Sequence, residues 1–170
     1  MWDGTVEDMN TVLSNIATKY NKKVMVAETA YPYTFVDADG SVNNINDASA
    51  MRYSNYDVSL AGQTQSLYEV IKGVSDINNI KSGYGLGVFY WEPAWIGTDS
   101  STWGTYGSGW ASSVSENYER LFSSTANEYS TTDQGSSWDN MTLFDVDGKA
   151  TSALYVFNDV LGKNSILTGK

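Results

Sequence analysis

Two carboxylates each close a short apolar run. Val24-Met25-Val26-Ala27 leads into Glu28, and Gly87-Val88-Phe89-Tyr90-Trp91 leads into Glu92. The residues that follow are aromatic or turn-forming: Thr29-Ala30-Tyr31-Pro32-Tyr33 after the first, Pro93-Ala94-Trp95 after the second. A carboxylate leaving a buried strand into an aromatic loop suits a nucleophile or a general acid. Cleaving a glycosidic bond takes two such groups, about 5–5.5 Å apart when configuration is retained. A strand-end Glu that caps a helix or pairs with a Lys fits Glu28 equally well on pattern. For the second motif, a core Trp beside a structural Glu is the plain alternative. A third cluster, Asp37-Ala38-Asp39-Gly40-Ser41-Val42-Asn43, gathers oxygen donors in one loop. It lacks the EF-hand's Gly at loop position six and Glu at twelve. Clustered oxygen donors still suit calcium, and a solvated Asp-Gly turn is the simpler reading.

Composition narrows the chemistry further. The 170 residues contain no His and no Cys. Ser-His-Asp and Cys-His catalysis, disulfides and His- or thiolate-held zinc are therefore excluded. Asp, Glu, Lys, Tyr and Ser remain for catalysis, and oxygen ligands, suited to calcium or magnesium, remain for metals. The formal net charge of −10 argues against nucleic acid and against an anionic membrane surface. Aromatic residues make up 14% of the chain. Flat rings stack on the apolar faces of neutral sugars, although aromatics also simply fill cores. No run reaches the roughly 18 apolar residues of a membrane span. Met1-Trp2-Asp3-Gly4 does not read as a signal peptide, so the chain is expected to be cytosolic or to have its natural start further upstream.

The elements that must hold these groups alternate. Helical spacing of Val6, Met9, Val12, Leu13, Ile16, Ala17 and Tyr20 predicts a helix over 5–20, with Thr5 as N-cap and Asp8 completing a capping box. A buried strand over 24–27 follows. A second helix over 59–77 turns Leu60, Thr64, Leu67, Tyr68, Ile71 and Val74 inward. A second strand covers 85–91, and a last helix covers 150–160 with Leu154, Tyr155, Phe157 and Val160 inside and Gly162 as C-cap. Both apolar runs lack alternation, which predicts burial on both faces, as in a parallel sheet. Long loops fill about 29–58 and 92–149. Asp145-Val146-Asp147-Gly148 reads as a plain turn, and Asn140-Met141-Thr142 matches a glycosylation sequon only weakly. Helix–strand alternation gives an α/β class, with both carboxylates at strand C-terminal ends, the active-site side of a (β/α)8 barrel. Two parallel strands cannot close a barrel of ~250 residues. The expectation is a C-terminal portion of one.

These motifs together resemble glycoside hydrolase family 53, the endo-β-1,4-galactanases. The family has a strand ending Glu-Thr before a Tyr-rich stretch, and a strand ending Tyr-Trp-Glu-Pro-Ala-Trp. It also has Tyr-Gly-Ser-Gly-Trp-Ala, here Tyr106 to Ala111, and then Asp-Asn, Leu-Phe-Asp and Gly-Lys, here Asp139-Asn140, Leu143-Phe144-Asp145 and Gly148-Lys149. Trp2-Asp3-Gly4-Thr5 is similar to the family's exit from strand six. The resemblance implies that residues 1–170 are the C-terminal part of one catalytic domain, about strands seven and eight of a TIM barrel. It implies Glu28 as nucleophile, held ionised by hydrogen bonds such as one from a tyrosine. Trp91 would be the aromatic platform near the cleaved bond, with Tyr31, Glu92, Trp95 and Trp110 as further substrate-binding positions. The acid/base Glu of strand four has no counterpart, so the isolated chain is expected to be inactive. It implies a structural calcium held by Asp37, Asp39, Ser41, Asn43, Asp139 and Ser136, with Ser41 where some family ligand sets have a His. It further implies a secreted protein, monomeric at full length, that cleaves β-1,4-galactan in type I arabinogalactan. A calcium-dependent binding module without catalysis, or a truncated non-functional product, are the alternatives.

Overall fold

A computed structural model describes residues 4–38, 42–51, 55–94 and 138–161. Helix α1 spans Val6–Lys19, strand β1 Val24–Thr29, helix α2 Leu60–Ile80, strand β2 Gly85–Tyr90 and helix α3 Ser152–Leu161. Short 3-10 turns cover Ala48–Ala50 and Asp139–Met141. No described helix is long and apolar enough to cross a membrane.

The expected capping box starts α1. Thr5 Oγ1 accepts from the Asp8 amide at 3.1 Å, and Asp8 Oδ2 accepts from the Thr5 amide at 3.0 Å. These bonds satisfy amides that the first helical turn leaves without partners, and they hold the Asp8 carboxyl below its ordinary range. The helix closes at Tyr20, and Asn21 takes the left-handed conformation, φ 55°. Ser59 caps α2 through the Gly62 amide at 3.0 Å.

Strands β1 and β2 pair in parallel, with Val24 opposite Gly85, Val26 opposite Val88 and Thr29 opposite Tyr90. The register shifts between each of these pairs, so the sheet is short and irregular. Gly85 is fixed by a close approach. A Cβ there would lie 1.9 Å from the Val74 carbonyl oxygen, and the Asn78 side chain clamps both its N–H and its C=O at 3.0 Å.

The core lies on one face of this sheet. Leu13 and Ala17 of α1 and Val74 and Ile77 of α2 pack on Val24, with Val26 and Val88 beside them. Leu67 and Ile71 of α2 join Leu143, Ala153 and Val156, with Val88 and Tyr90 beside them. The opposite face is open: Met25 is 42% exposed, Leu86 56%, Phe89 62% and Trp91 36%. Burial on both faces, expected from the unbroken apolar runs, is therefore not found among the described residues. The three described helices share the face of Val24, Val26, Val88 and Tyr90, and no described element covers the other.

Other expectations change in detail. β2 ends at Tyr90, one residue early, although the Trp91 amide still bonds the Thr29 carbonyl at 2.9 Å. Leu60 and Tyr68 are exposed; Gln63 and Ser66 take the inner positions, with Val70 and Ile77. Tyr155 is exposed, and Ala153 and Val156 face in. In both helices the buried stripe includes small or polar residues that an apolar count overlooks. Gly162 lies outside the described residues. The Asp145–Gly148 turn forms as expected, with Asp145 Oδ1 accepting from the Asp147 and Lys149 amides at 3.0 and 2.8 Å.

Candidate active site

The sheet brings the two carboxylate motifs to one end. Glu28 stands near the end of β1 and Trp91 directly after β2, and the bond from Trp91 N–H to Thr29 C=O joins their backbones. Glu28 is exposed. Among the described residues none donates a hydrogen bond to its carboxylate. The tyrosine donor expected for it is thus absent from this set, because the nearby tyrosines spend their hydroxyls on backbone. Tyr31 Oη donates to the Tyr56 carbonyl at 2.6 Å, and Tyr90 Oη to the Met141 carbonyl at 2.6 Å.

Glu92 is placed differently. It is only 7% exposed, its Oε2 is shut off from solvent, and its backbone is left-handed at φ 52°. A non-glycine residue held there marks a turn imposed by its surroundings. The following Pro93 carbonyl accepts from the Leu143 amide at 2.8 Å, so the strand exit is stitched to the segment before α3. Tyr31 is also buried, at 5%, edge-on to Tyr56 with ring centroids 5.8 Å apart. It underpins the loop after β1, whereas Trp91, directly after β2, is 36% exposed. Trp95 and Trp110 lie outside the described residues.

A buried polar hub, not anticipated from the sequence, supports this end of the sheet. Gln63 is fully buried on α2. Its Nε2 donates to the Tyr31 carbonyl at 3.0 Å and the Thr142 carbonyl at 2.9 Å, and its Oε1 accepts from Thr151 Oγ1 at 3.0 Å. Tyr90 Oη lies 3.3 Å from the same Nε2 and accepts from the Tyr31 amide at 3.3 Å. Burial pushes the Tyr90 hydroxyl far up, so it stays a neutral donor. One carboxamide and one phenol thereby hold the loop after β1, the segment before α3 and the start of α3. The available signal was a Gln four residues before Leu67 on the buried stripe of α2.

A hydrogen bond joins the candidate metal loop to Asp139. Asp139 is buried, and its Oδ2 accepts from the Ala38 amide at 3.1 Å. Asn140 Nδ2 donates to the Thr34 and Ile45 carbonyls at 2.8 Å each, which ties 138–141 to segments 33–38 and 42–45. Asn140 is fully buried by this, so the sequon is not presented to solvent. Asn43 is buried; its Nδ2 donates to the Val36 carbonyl at 3.3 Å, and its Oδ1 has no hydrogen-bond partner. Asp37 is exposed nearby in sequence. The Tyr33 hydroxyl is pushed up, first by burial and then by the charges of Asp139 and Asp145. Asp39, Ser41 and Ser136 lie outside the described residues. Among the described residues no three Asp or Glu side chains form a cluster.

The whole of this architecture has relatives. The model of glycosyl hydrolase family 53 matches residues 1–157. The chain belongs to that family. An endo-beta-1,4-galactanase of Bacillus subtilis is 39% identical over 164 residues, covering 92% of this chain and 35% of the relative. An arabinogalactan endo-beta-1,4-galactanase of Cellvibrio japonicus is 35% identical over 99 residues, covering 58% of this chain and 24% of its own length. Among solved structures, the family 53 catalytic domain of Ignisphaera aggregans superposes with a TM-score of 0.66 at 28% identity, covering 92% of this chain and 35% of that one. The chain is thus an α/β portion of a family 53 catalytic domain, spanning 24% to 35% of the length of these relatives.

Proposed function

We propose that this chain is the strand-seven and strand-eight sector, residues 1–170, of a retaining endo-β-1,4-galactanase barrel, with Glu28 as its nucleophile. The observation that carries this is the placement of Glu28. It is an exposed carboxylate near the C-terminal end of β1, next to the strand end that Trp91 follows. In a (β/α)8 barrel the face away from the helices is the interior, and the strand C-terminal ends carry the chemistry. Glu92 at the neighbouring strand end is buried, so it does not offer a second carboxylate beside Glu28.

In this reading galactan lies across the strand ends with a sugar ring against Trp91. The Glu28 carboxylate bonds to the anomeric carbon as the glycosidic C–O bond breaks. A carboxylic acid from the rest of the domain gives its proton to the departing oxygen. That same group then takes a proton from water, which displaces Glu28 and restores the configuration. Glu28 acts in this step as the carboxylate. The substrate is a polysaccharide, so the enzyme acts outside the cell, as a single complete barrel.

Calcium fits the joint between the two long loops. The buried Asn43 Oδ1 lacks a hydrogen-bond partner, and Asp139 is drawn to the same loop by the Ala38 amide. Hard oxygen donors of this kind are what calcium takes. Asp37, Asn43 and Asp139 would hold it together with Asp39, Ser41 and Ser136. Its contribution is to lock the loops; no bond-making step passes through it.

The test is Glu28→Gln in the chain extended to the full length of its relatives. Hydrolysis of β-1,4-galactan falls by several orders of magnitude while galactan binding persists. Turnover at the parent rate refutes the assignment. Among the described residues the other strand-end carboxylate, Glu92, is buried, which favours galactan binding without turnover for the chain on its own, and Glu28→Gln leaves that binding in place.

A further inference from the structure

The opposite end of the sheet carries a charge pattern that the proposed hydrolysis does not use. Lys19, Lys22 and Lys23 lie at and after the end of α1, directly before β1, and Lys81 follows α2, directly before β2. All four are exposed. Among the described residues none of them pairs with a carboxylate; the two ion pairs present are Lys72–Asp76 and Lys149–Asp147. They account for four of the ten basic residues in a chain of net charge −10. Helix C-termini attract cations. That explains Lys19 and Lys81, but not Lys22 and Lys23, which lie beyond the helix.

The two turns are joined into one surface. Asn21 Oδ1 accepts from the Lys81 ammonium and from Tyr84 Oη, the latter at 2.9 Å. The Val24 amide bonds the Tyr84 carbonyl at 2.8 Å. Lys81 Nζ sits 4.3 Å from the centre of the Tyr84 ring, and Lys19 Nζ sits 5.6 Å from that of Tyr20. Tyr20 is 60% exposed. The patch thus combines ammonium groups with an exposed aromatic ring, on a turn whose left-handed Asn21 fixes its shape. It lies the length of a strand, ~17 Å, from Glu28. In a (β/α)8 barrel this is the N-terminal face of the strands, opposite the face that carries the chemistry.

We propose that this pole is a second carbohydrate site, which binds a polysaccharide bearing carboxylate groups, a polyuronate. Tyr20 offers a face for a sugar ring, and the lysines meet carboxylates spaced along the polymer. Nucleic acid fits less well, because four lysines stand against ten net negative charges and phosphate backbones depend on many cations. The site is independent of Glu28 and does not rest on the hydrolytic reading.

The test is titration of this chain with sodium polygalacturonate at low and at physiological ionic strength, with neutral galactan, polyphosphate and single-stranded DNA alongside. Saturable binding of the polyuronate is expected, stronger than that of polyphosphate or DNA and weakened by salt. The Lys22→Gln/Lys23→Gln variant weakens it about tenfold, and adding Lys81→Gln weakens it further. Tyr20→Ala weakens polyuronate binding but not polyphosphate binding, and Glu28→Gln changes neither. Unchanged thermal melting of the lysine variants shows that the fold is intact. No binding, binding indifferent to the lysine changes, or equal or tighter binding of polyphosphate or DNA overturns the proposal. So does indifference to Tyr20→Ala, which would leave a general polyanion surface.

Discussion

Gln63 shows how much one buried side chain can organise. Its carboxamide satisfies two carbonyls and one hydroxyl from three separate segments. Gln63→Leu keeps the volume and removes those bonds, leaving buried acceptors without donors. The expected cost is ~3 kcal/mol in denaturant unfolding, since each orphaned group costs about 1–3 kcal/mol. Tyr90 adds a pH signature. Its folded-state value is raised, so its neutral form stabilises the fold fully below pH 10.0, its ordinary value. As pH rises above that value the unfolded chain releases the proton and the folded chain does not, so stability falls. Tyr90→Phe therefore flattens the alkaline limb of a Tm-against-pH profile. An equally steep limb in the variant would assign the transition to another group. Neither residue stood out in the sequence as functional, because a polar group on an apolar stripe carries no visible sign of its partners. Glu28 and Glu92 did stand out as candidates, since each closes an apolar run.

At the scale of elements, the helices and strands follow from local rules and the loops do not. Thr5 and Asp8 announced the start of α1, and the apolar runs announced β1 and β2 within a residue or two. The inner faces of α2 and α3 were misplaced at Leu60, Tyr68 and Tyr155, because Gln63, Gly62, Ala153 and other small or polar residues occupy the contacts. Gly85 illustrates the same limit. Its need for glycine comes from the Val74 carbonyl, across the β2–α2 contact, and Gly85→Ala is expected to destabilise by ~1–3 kcal/mol. An unchanged denaturation midpoint would show that the two elements can separate freely there. The bonds from segments 33–38 and 42–45 to Asp139 and Asn140 were legible only as a set of oxygen donors. If this joint holds calcium, chelation lowers Tm, and saturating calcium raises it by mass action. Asp139→Ala should abolish that response; a Tm indifferent to both would mean that the joint is held by its hydrogen bonds alone.

For the whole molecule, the unequal faces of the sheet decide the interpretation. The apolar runs were correctly read as strands, but the burial expected on both sides is not found: the described helices cover one side only. Met25, Leu86 and Phe89 remain open, and burying each such side chain is worth about 1.5–3 kcal/mol. The chain studied alone should therefore bind a hydrophobic dye and self-associate in proportion to concentration. Replacing Leu86 and Phe89 with Ser should reduce both effects. A dye-silent monomer at high concentration would mean that this face is covered from within. Membership of the family, and the 35% of the Bacillus subtilis relative that the chain spans, agree with a sector whose inner face meets further βα units.

The most direct measurement is covalent trapping of the nucleophile. A fluorinated galactobioside with a good leaving group would be incubated with the chain extended to the length of its relatives, and the labelled peptide identified by mass spectrometry. A stable glycosyl ester on Glu28, absent after Glu28→Gln, is the predicted result. A label on Glu92 or on any other carboxylate, with Glu28 unmodified in an enzyme that the reagent inactivates, would contradict it.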